Sequence, residues 1–244
     1  MNVKSVSTIL FTLLLVSCTH GYHIEGTSSI PDFDGKRVSL KTLRNGQWST
    51  VDSTDVLHGC FAMKGKVDSV MLVMLYLNEE GIMPLVLENG KITVLIDQTQ
   101  ITATGTPLNN ALTGFIQKQN DYELRMEELE RKEARLIMNG EGSYDEIHES
   151  VSRESHALLK ERNDHVQRFI TANYENVLGP GVFVMMCSTL SYPMMTPQLE
   201  SIVKAAPLSF KESPLVKDYL GKAYENMRLI EEHQRLRESV ATRN

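Results

Sequence analysis

Three cysteines and seven histidines are the residues of this chain best suited to chemistry. Cys60 and Cys187 lie far apart, and no Cys-x-x-Cys occurs, so the usual dithiol redox pair is absent. A lone thiol becomes a nucleophile only where a cation lowers its pKa. For Cys60 the candidates are Lys64 and His58. Cys60 alternates with Phe61 and Met63, so a strand would face it away from them. Cys187 ends the run Val182-Phe183-Val184-Met185-Met186-Cys187, apolar on every helical face, and is expected to be an inert buried thiol. In an oxidising compartment the two thiols could also pair. Cys60 and Cys187 are therefore carried forward as candidate thiols, with no catalytic residue assigned.

The histidines are His20, His23, His58, His148, His156, His165 and His233. Asp145 and His148 stand three apart, and Glu161 and His165 four apart, spacings that share a helix face. A helical di-metal site needs two Glu-x-x-His pairs and two further carboxylates, and one Asp-x-x-His does not supply them. These residues are expected to form a solvated charged face, with no metal and no cofactor. No Gly-x-Ser-x-Gly, Gly-x-x-x-x-Gly-Lys or His-Glu-x-x-His occurs. Trp48, Tyr22 and Tyr76 could form an aromatic platform for a sugar or peptide, although strand aromatics more often pack in cores.

The N-terminus bears on compartment. Lys4 precedes a mostly apolar stretch from Val6 to Val16, roughly 11 residues against the ~20 needed to span a bilayer. That is the length of a signal-peptide core. It closes on Leu15-Val16-Ser17-Cys18, which resembles the bacterial lipobox. The resemblance implies cleavage before Cys18 and acylation of Cys18 as a membrane anchor. Thr19-His20-Gly21 follows as a tether without an acidic cluster, so a periplasm-facing place in the cell envelope is expected. The net charge of −6 disfavours a phosphate backbone, and nucleic acid is not an expected partner. Residues 121–164 carry 13 Asp/Glu against 7 Lys/Arg, the composition of a solvated helix face.

These residues must be positioned by two different halves. Residues 22–105 alternate with strand period. Turns are expected at Asp34-Gly35, Asn45-Gly46, His58-Gly59, Glu79-Glu80-Gly81 and Asn89-Gly90, with the two Asn-Gly pairs as hairpins. About eight short strands result, and the nearly continuous apolar run Val70–Leu77 reads as a central strand. Gly105-Thr106-Pro107 changes the period: Thr106 can cap a helix and Pro107 suits its first position. Leu108, Leu112, Phe115, Tyr122, Met126, Leu129 and Leu136 then follow a heptad, predicting a helix to about Met138. Asn139-Gly140-Glu141-Gly142 ends it. A second helix runs from about Tyr144 to Asn173, antiparallel to the first. Thr196-Pro197 and Ser213-Pro214 repeat the cap-plus-proline signature.

The expected fold is α+β: an N-terminal antiparallel β-sandwich, then a long helical hairpin and a small helical bundle. The expected divisions are a signal peptide over 1–17, the sandwich over 18–105, and a helical domain over 106–244. The last contains the helix pair 107–173 and shorter helices within 176–238.

Three segments carry a family resemblance. They are Phe33-Asp34-Gly35-Lys36-Arg37-Val38-Ser39-Leu40, Gly59-Cys60-Phe61-Ala62-Met63-Lys64-Gly65-Lys66-Val67, and Gly105-Thr106-Pro107-Leu108-Asn109-Asn110-Ala111-Leu112. In this order, behind a lipobox, they resemble the domain of unknown function 4369, over about residues 22–125. That domain is the N-terminal module of many thioredoxin-like (AhpC/TSA) envelope lipoproteins. The resemblance implies an accessory module joined by helices to a thioredoxin domain. Such a domain, with its Trp-Cys-x-x-Cys, would begin near Glu232 and is not found here, so its redox activity carries over to no residue. The expected function is a membrane-anchored, non-catalytic binding or accessory module for a thioredoxin-like protein, a peptide or a glycan. The alternatives are a thiol redox protein using Cys60 and Cys187, and a scaffold that self-associates through the long helix pair.

Overall fold

The computed structural model describes residues 21–44 and 47–241. Cys18 with its preceding segment, and the turn Asn45-Gly46, lie outside the described residues. Eight strands form two four-stranded sheets. The first is ordered β4 (Cys60–Lys66), β1 (Gly21–Ser28), β7 (Gly90–Ile96), β8 (Ile101–Thr104). The second is ordered β3 (Gln47–Asp55), β2 (Arg37–Arg44), β5 (Met71–Leu77), β6 (Glu80–Leu87). The expected alternation places one face of each sheet inward. Ile24, Leu40, Leu75, Ile92 and Ile96 are fully buried between them.

Local turn chemistry holds where adjacent strands pair. His58 and Gly59 both take positive φ (52° and 71°), the backbone of a tight hairpin turn that delivers Cys60 to β4. The β5–β6 reversal falls at Asn78-Glu79, one residue earlier than Glu79-Glu80-Gly81, with Asn78 taking the positive φ. Asn89-Gly90 is not a hairpin. It carries the chain across the sandwich, because β6 pairs with β5 while β7 pairs with β1 and β8. One pair, β1 with β7, is parallel, whereas the other strand pairs are antiparallel. A turn dictates reversal only for strands it joins directly. The direction of β1 against β7, far apart in sequence, is decided by how the chain crosses between sheets.

Six helices follow: α1 (Pro107–Asn139), α2 (Tyr144–Ala172), α3 (Leu178–Cys187), α4 (Pro197–Ala205), α5 (Leu208–Lys211) and α6 (Pro214–Ala241). The expected hairpin is α1 with α2. Gly140 ends α1 in the left-handed region, and Ser143 with Glu146 forms a capping box that starts α2. The expected inward residues Ile147, Val151, Leu158, Val166 and Ile170 are buried, and Phe169 is partly so. Lys132 of α1 bonds Glu154 of α2 at 2.6 Å. A second apolar core joins α1–α6 around Phe183, Phe210, Ile202 and Val216. It reaches the outer face of the second sheet at Leu72 and Val86. A Cβ on Gly181 would stand 2.6 Å from the Leu72 Cδ2 methyl, so the leucine would have to turn aside to admit it.

The junction between the halves is built from polar groups. Thr106 does not cap α1 with its hydroxyl. The Leu108 and Asn109 amides instead donate to Glu88 Oε1 just after β6, at 2.9 and 3.2 Å. Pro107 has no amide, and Asn110 N–H donates to Thr106 C=O at 2.9 Å. Every donor of the first turn is therefore placed. Asn109, wholly buried, accepts from Val86 N–H at 2.9 Å and donates to Val86 C=O at 2.8 Å. One turn on, Thr113 Oγ1 accepts from Ala103 N–H and donates to Ala103 C=O at 2.6 Å. β6 and β8 are sheet edges, so α1 supplies to both what a further strand would have supplied. Gly105, at φ +104°, makes the approach, and a Cβ there would meet the Lys91 carbonyl oxygen at 2.5 Å.

Asn109→Leu keeps the size of this side chain and strands both Val86 groups. We expect a loss of about 3 kcal/mol in urea unfolding, against under ~0.5 for exposed Ser53→Ala. A loss for Asn109→Leu no larger than that control would show that the clamp is dispensable.

Candidate functional site

The two candidate thiols do not meet. Cys60 is exposed at the start of the edge strand β4, while Cys187 is buried in the helical core, and both are free. Cys60, Ala62 and Lys64 share the outward face of β4. Strand rise sets the Lys64 backbone about 13 Å from that of Cys60, beyond the reach needed to pair a thiolate directly. Cys187 lies beside Tyr219, whose hydroxyl donates to the Met194 carbonyl at 2.8 Å. Burial pushes the Cys187 thiol up to about 12, so it stays protonated and unreactive at neutral pH.

The aromatic trio divides. Tyr22 is a core residue, its ring covering Gly65 and its hydroxyl donating to Asp52 at 2.7 Å. Burial, with the Asp52 carboxylate, raises its pKa. Trp48 and Tyr76 do come together, on the outer face of the second sheet. Their rings meet edge to face at 5.8 Å, and Trp48 is 51% exposed. Lys41, from the strand between them, places Nζ 4.3 Å from the Tyr76 ring centroid and 3.0 Å from Glu79. The cation holds the ring by its negative face, and the ring supports Trp48.

The histidine–carboxylate pairs serve the hairpin. His148 bonds Glu133 of α1 at 2.8 Å and stacks on Tyr144, not on Asp145. Glu161 turns to Arg125 and Tyr122, and the Arg125 guanidinium holds its carboxyl below the usual range. His165 packs instead between Phe115 and Tyr122, with Nε2 buried and unpartnered among the described residues. Among those residues no three His, Cys, Asp or Glu side chains converge.

A feature that the sequence does not announce is a cleft of about 470 Å³ between α1, α2, α3 and the start of α4. Phe115, Val166, Val182 and Leu199 form its floor, and Met185 and Met186 its lip. Gln119, Arg162, Asn163, Thr189, Thr196 and Gln198 give it polar walls. Arg162 Nε donates to Gln119 Oε1 at 3.1 Å, which turns the Gln119 amide so that Nε2 is buried without an acceptor among the described residues. Its lining comes from four separate elements, and only the Met185-Met186 pair is legible as a local signal.

Residues 22–112 match the Domain of unknown function (DUF4369). The match begins in β1 and ends at Leu112 of α1, so it takes in the whole sandwich together with Glu88 and Asn109. The DUF4369 segment thus includes the first turns of the helix that closes its sheets, and the lining of the cleft lies wholly beyond it. No curated protein matches the chain. No helix among the described residues is long and apolar enough to cross a membrane.

Two outcomes follow. A maleimide reagent at neutral pH should modify Cys60 in the folded protein and Cys187 only after unfolding, as read by peptide mass spectrometry. Equal native labelling would contradict the buried thiol. For His165, desolvation, then Arg168 and Lys118, lower the folded pKa, while Glu161 opposes them. The unfolded chain therefore takes up the proton first, and stability falls as pH drops below about 6.5 toward the lower folded value. His165→Phe should flatten that part of the melting-temperature profile between pH 7.5 and 5.5, and an unchanged slope would assign it elsewhere.

Proposed function

We propose that this protein is a membrane-anchored, non-catalytic binding or accessory module of the cell envelope, with the Trp48–Tyr76–Lys41 face as its contact surface. The observation that carries the reading is the supported, half-exposed Trp48. Helices cover the same sheet face at Leu72 and Val86 and leave this part of it open. An aromatic already held by Tyr76, whose own ring Lys41 fixes, loses little freedom on binding, and such residues dominate binding energy at interfaces. The lipobox-like Leu15-Val16-Ser17-Cys18 supports the anchor. Only Thr19 and His20 separate Cys18 from β1, which would hold the sandwich within about 10 Å of its lipid. A thioredoxin-like protein, a peptide or a glycan fits this surface as partner.

Self-association through the helix pair is the second reading. Leu124, Met138 and Tyr144 are more than half exposed on the hairpin. A monomer by light scattering at high concentration would count against it. The paired-thiol reading draws no support from a geometry that leaves Cys60 exposed at the sandwich edge and Cys187 buried in the helical core.

The main reading is tested in cells. Cys18→Ala should release the protein from the membrane pellet. A photo-crosslinking amino acid at position 48 should give adducts in intact envelopes, and one at exposed Tyr192 should not. Equal adduct patterns at the two positions would remove the assigned surface, whereas membrane retention by Cys18→Ala would remove the anchor.

A further inference from the structure

The cleft between α1, α2, α3 and α4 combines features that point to one ligand chemistry. Its volume of about 470 Å³ lies in the range of small-molecule sites, and its floor is apolar and buried. Its methionine lip is unbranched and adaptable, suited to a flexible chain rather than a rigid ring.

Its polar end is unfinished. Gln119 Oε1 is taken by Arg162 Nε, which fixes the guanidinium at the cleft wall and leaves the enclosed Gln119 Nε2 without an acceptor among the described residues. A buried N–H without an acceptor is costly, and in a folded protein such a group requires an explanation. The two Nη groups of Arg162 make no hydrogen bond among the described residues. The acid within ion-pair reach is the exposed Glu123, at 3.9 Å from Nη2. The guanidinium fork at the cleft wall matches the two oxygens of a planar carboxylate. The rim is held independently: Gln198 Nε2 donates to the Asn163 carbonyl at 3.0 Å, and Tyr219 ties the 188–196 segment through Met194. The cleft can therefore exist before a ligand arrives.

We infer that this cleft binds an aliphatic monocarboxylate, with the carboxylate on Arg162 and the tail along Met185 and Met186. The inference stands apart from the membrane anchor and from the Trp48 surface. Arg162 acts as the binding residue and Gln119, bonded to its Nε, as a positioning residue, and no bond is made or broken.

Decanoate is a suitable probe, with decanol as its uncharged counterpart, each titrated by calorimetry into the purified full chain. Methyl resonances of 13C-labelled methionine report whether Met185 and Met186 are the groups touched. Decanoate should bind at least about tenfold more tightly than decanol. Arg162→Met should erase that preference while decanol binding is retained. Met186→Trp, at a partly exposed position, should fill the cleft and abolish both. Should Arg162→Met fail to fold, Arg162→Lys keeps the charge but loses the fork, and should reduce the preference. The inference is overturned if decanoate does not bind or if decanol binds equally. It is likewise overturned if the preference survives both Arg162 variants or if Met186→Trp binds as before. Binding of a peptide through its C-terminal carboxylate where decanoate fails would reassign the cleft to peptides and also overturn it.

Discussion

The buried amide of Asn109 joins what would otherwise be two separately packed layers. A sheet edge presents unpaired N–H and C=O groups, and a helix start presents unpaired N–H groups; each is a liability when buried. Here each answers the other. Glu88, at the end of β6, takes the first amides of α1, and Asn109, in that first turn, takes both polar groups of Val86. The direction of α1 is therefore set by the sheet. α2 follows from α1 through the short loop and the ion pairs between them. The helical core then closes on Leu72 and Val86, the outward side chains of the clamped sheet.

This junction also divides the surface. Helices cover one part of the second sheet's outer face, and Trp48 remains on the other part, braced by Tyr76, which Lys41 holds in turn. The same docking draws α3 inward, which buries Cys187 and leaves Met185 and Met186 at the edge of the helical core. The inert thiol, the open aromatic face and the methionine-lipped cleft are three results of one packing arrangement.

Much of this was readable along the chain. Period two before Gly105 and period near 3.5 after it reflect side-chain geometry within one element, so strand and helix positions follow from neighbours in sequence. The inward residues of α2 and the helix starts at Pro107, Pro197 and Pro214 belong to this class. Other expectations failed where the partner was distant. Thr106 has the residue type of a cap but yields that role to Glu88, and Asn89-Gly90 has the signature of a hairpin but carries the chain between sheets. Glu161 and His165 share a helix face, yet one turns to Arg125 and the other packs on Phe115. In each case local propensity offered a role, and a buried group from another element supplied a stronger one.

The sequence by itself determined the order of elements, the inward faces of the strands and long helices, the absence of a Cys-x-x-Cys, and the expectation of an acylated Cys18. All rest on residues a few positions apart, where backbone geometry alone sets who meets whom. The tertiary structure decided that Tyr22 leaves the aromatic group, that Cys60 and Cys187 stay apart, that β1 runs parallel to β7, and that Gln119 and Arg162 face one cleft. Those outcomes depend on burial and hydrogen bonds between residues far apart in the chain, and spacing along a sequence carries no record of them.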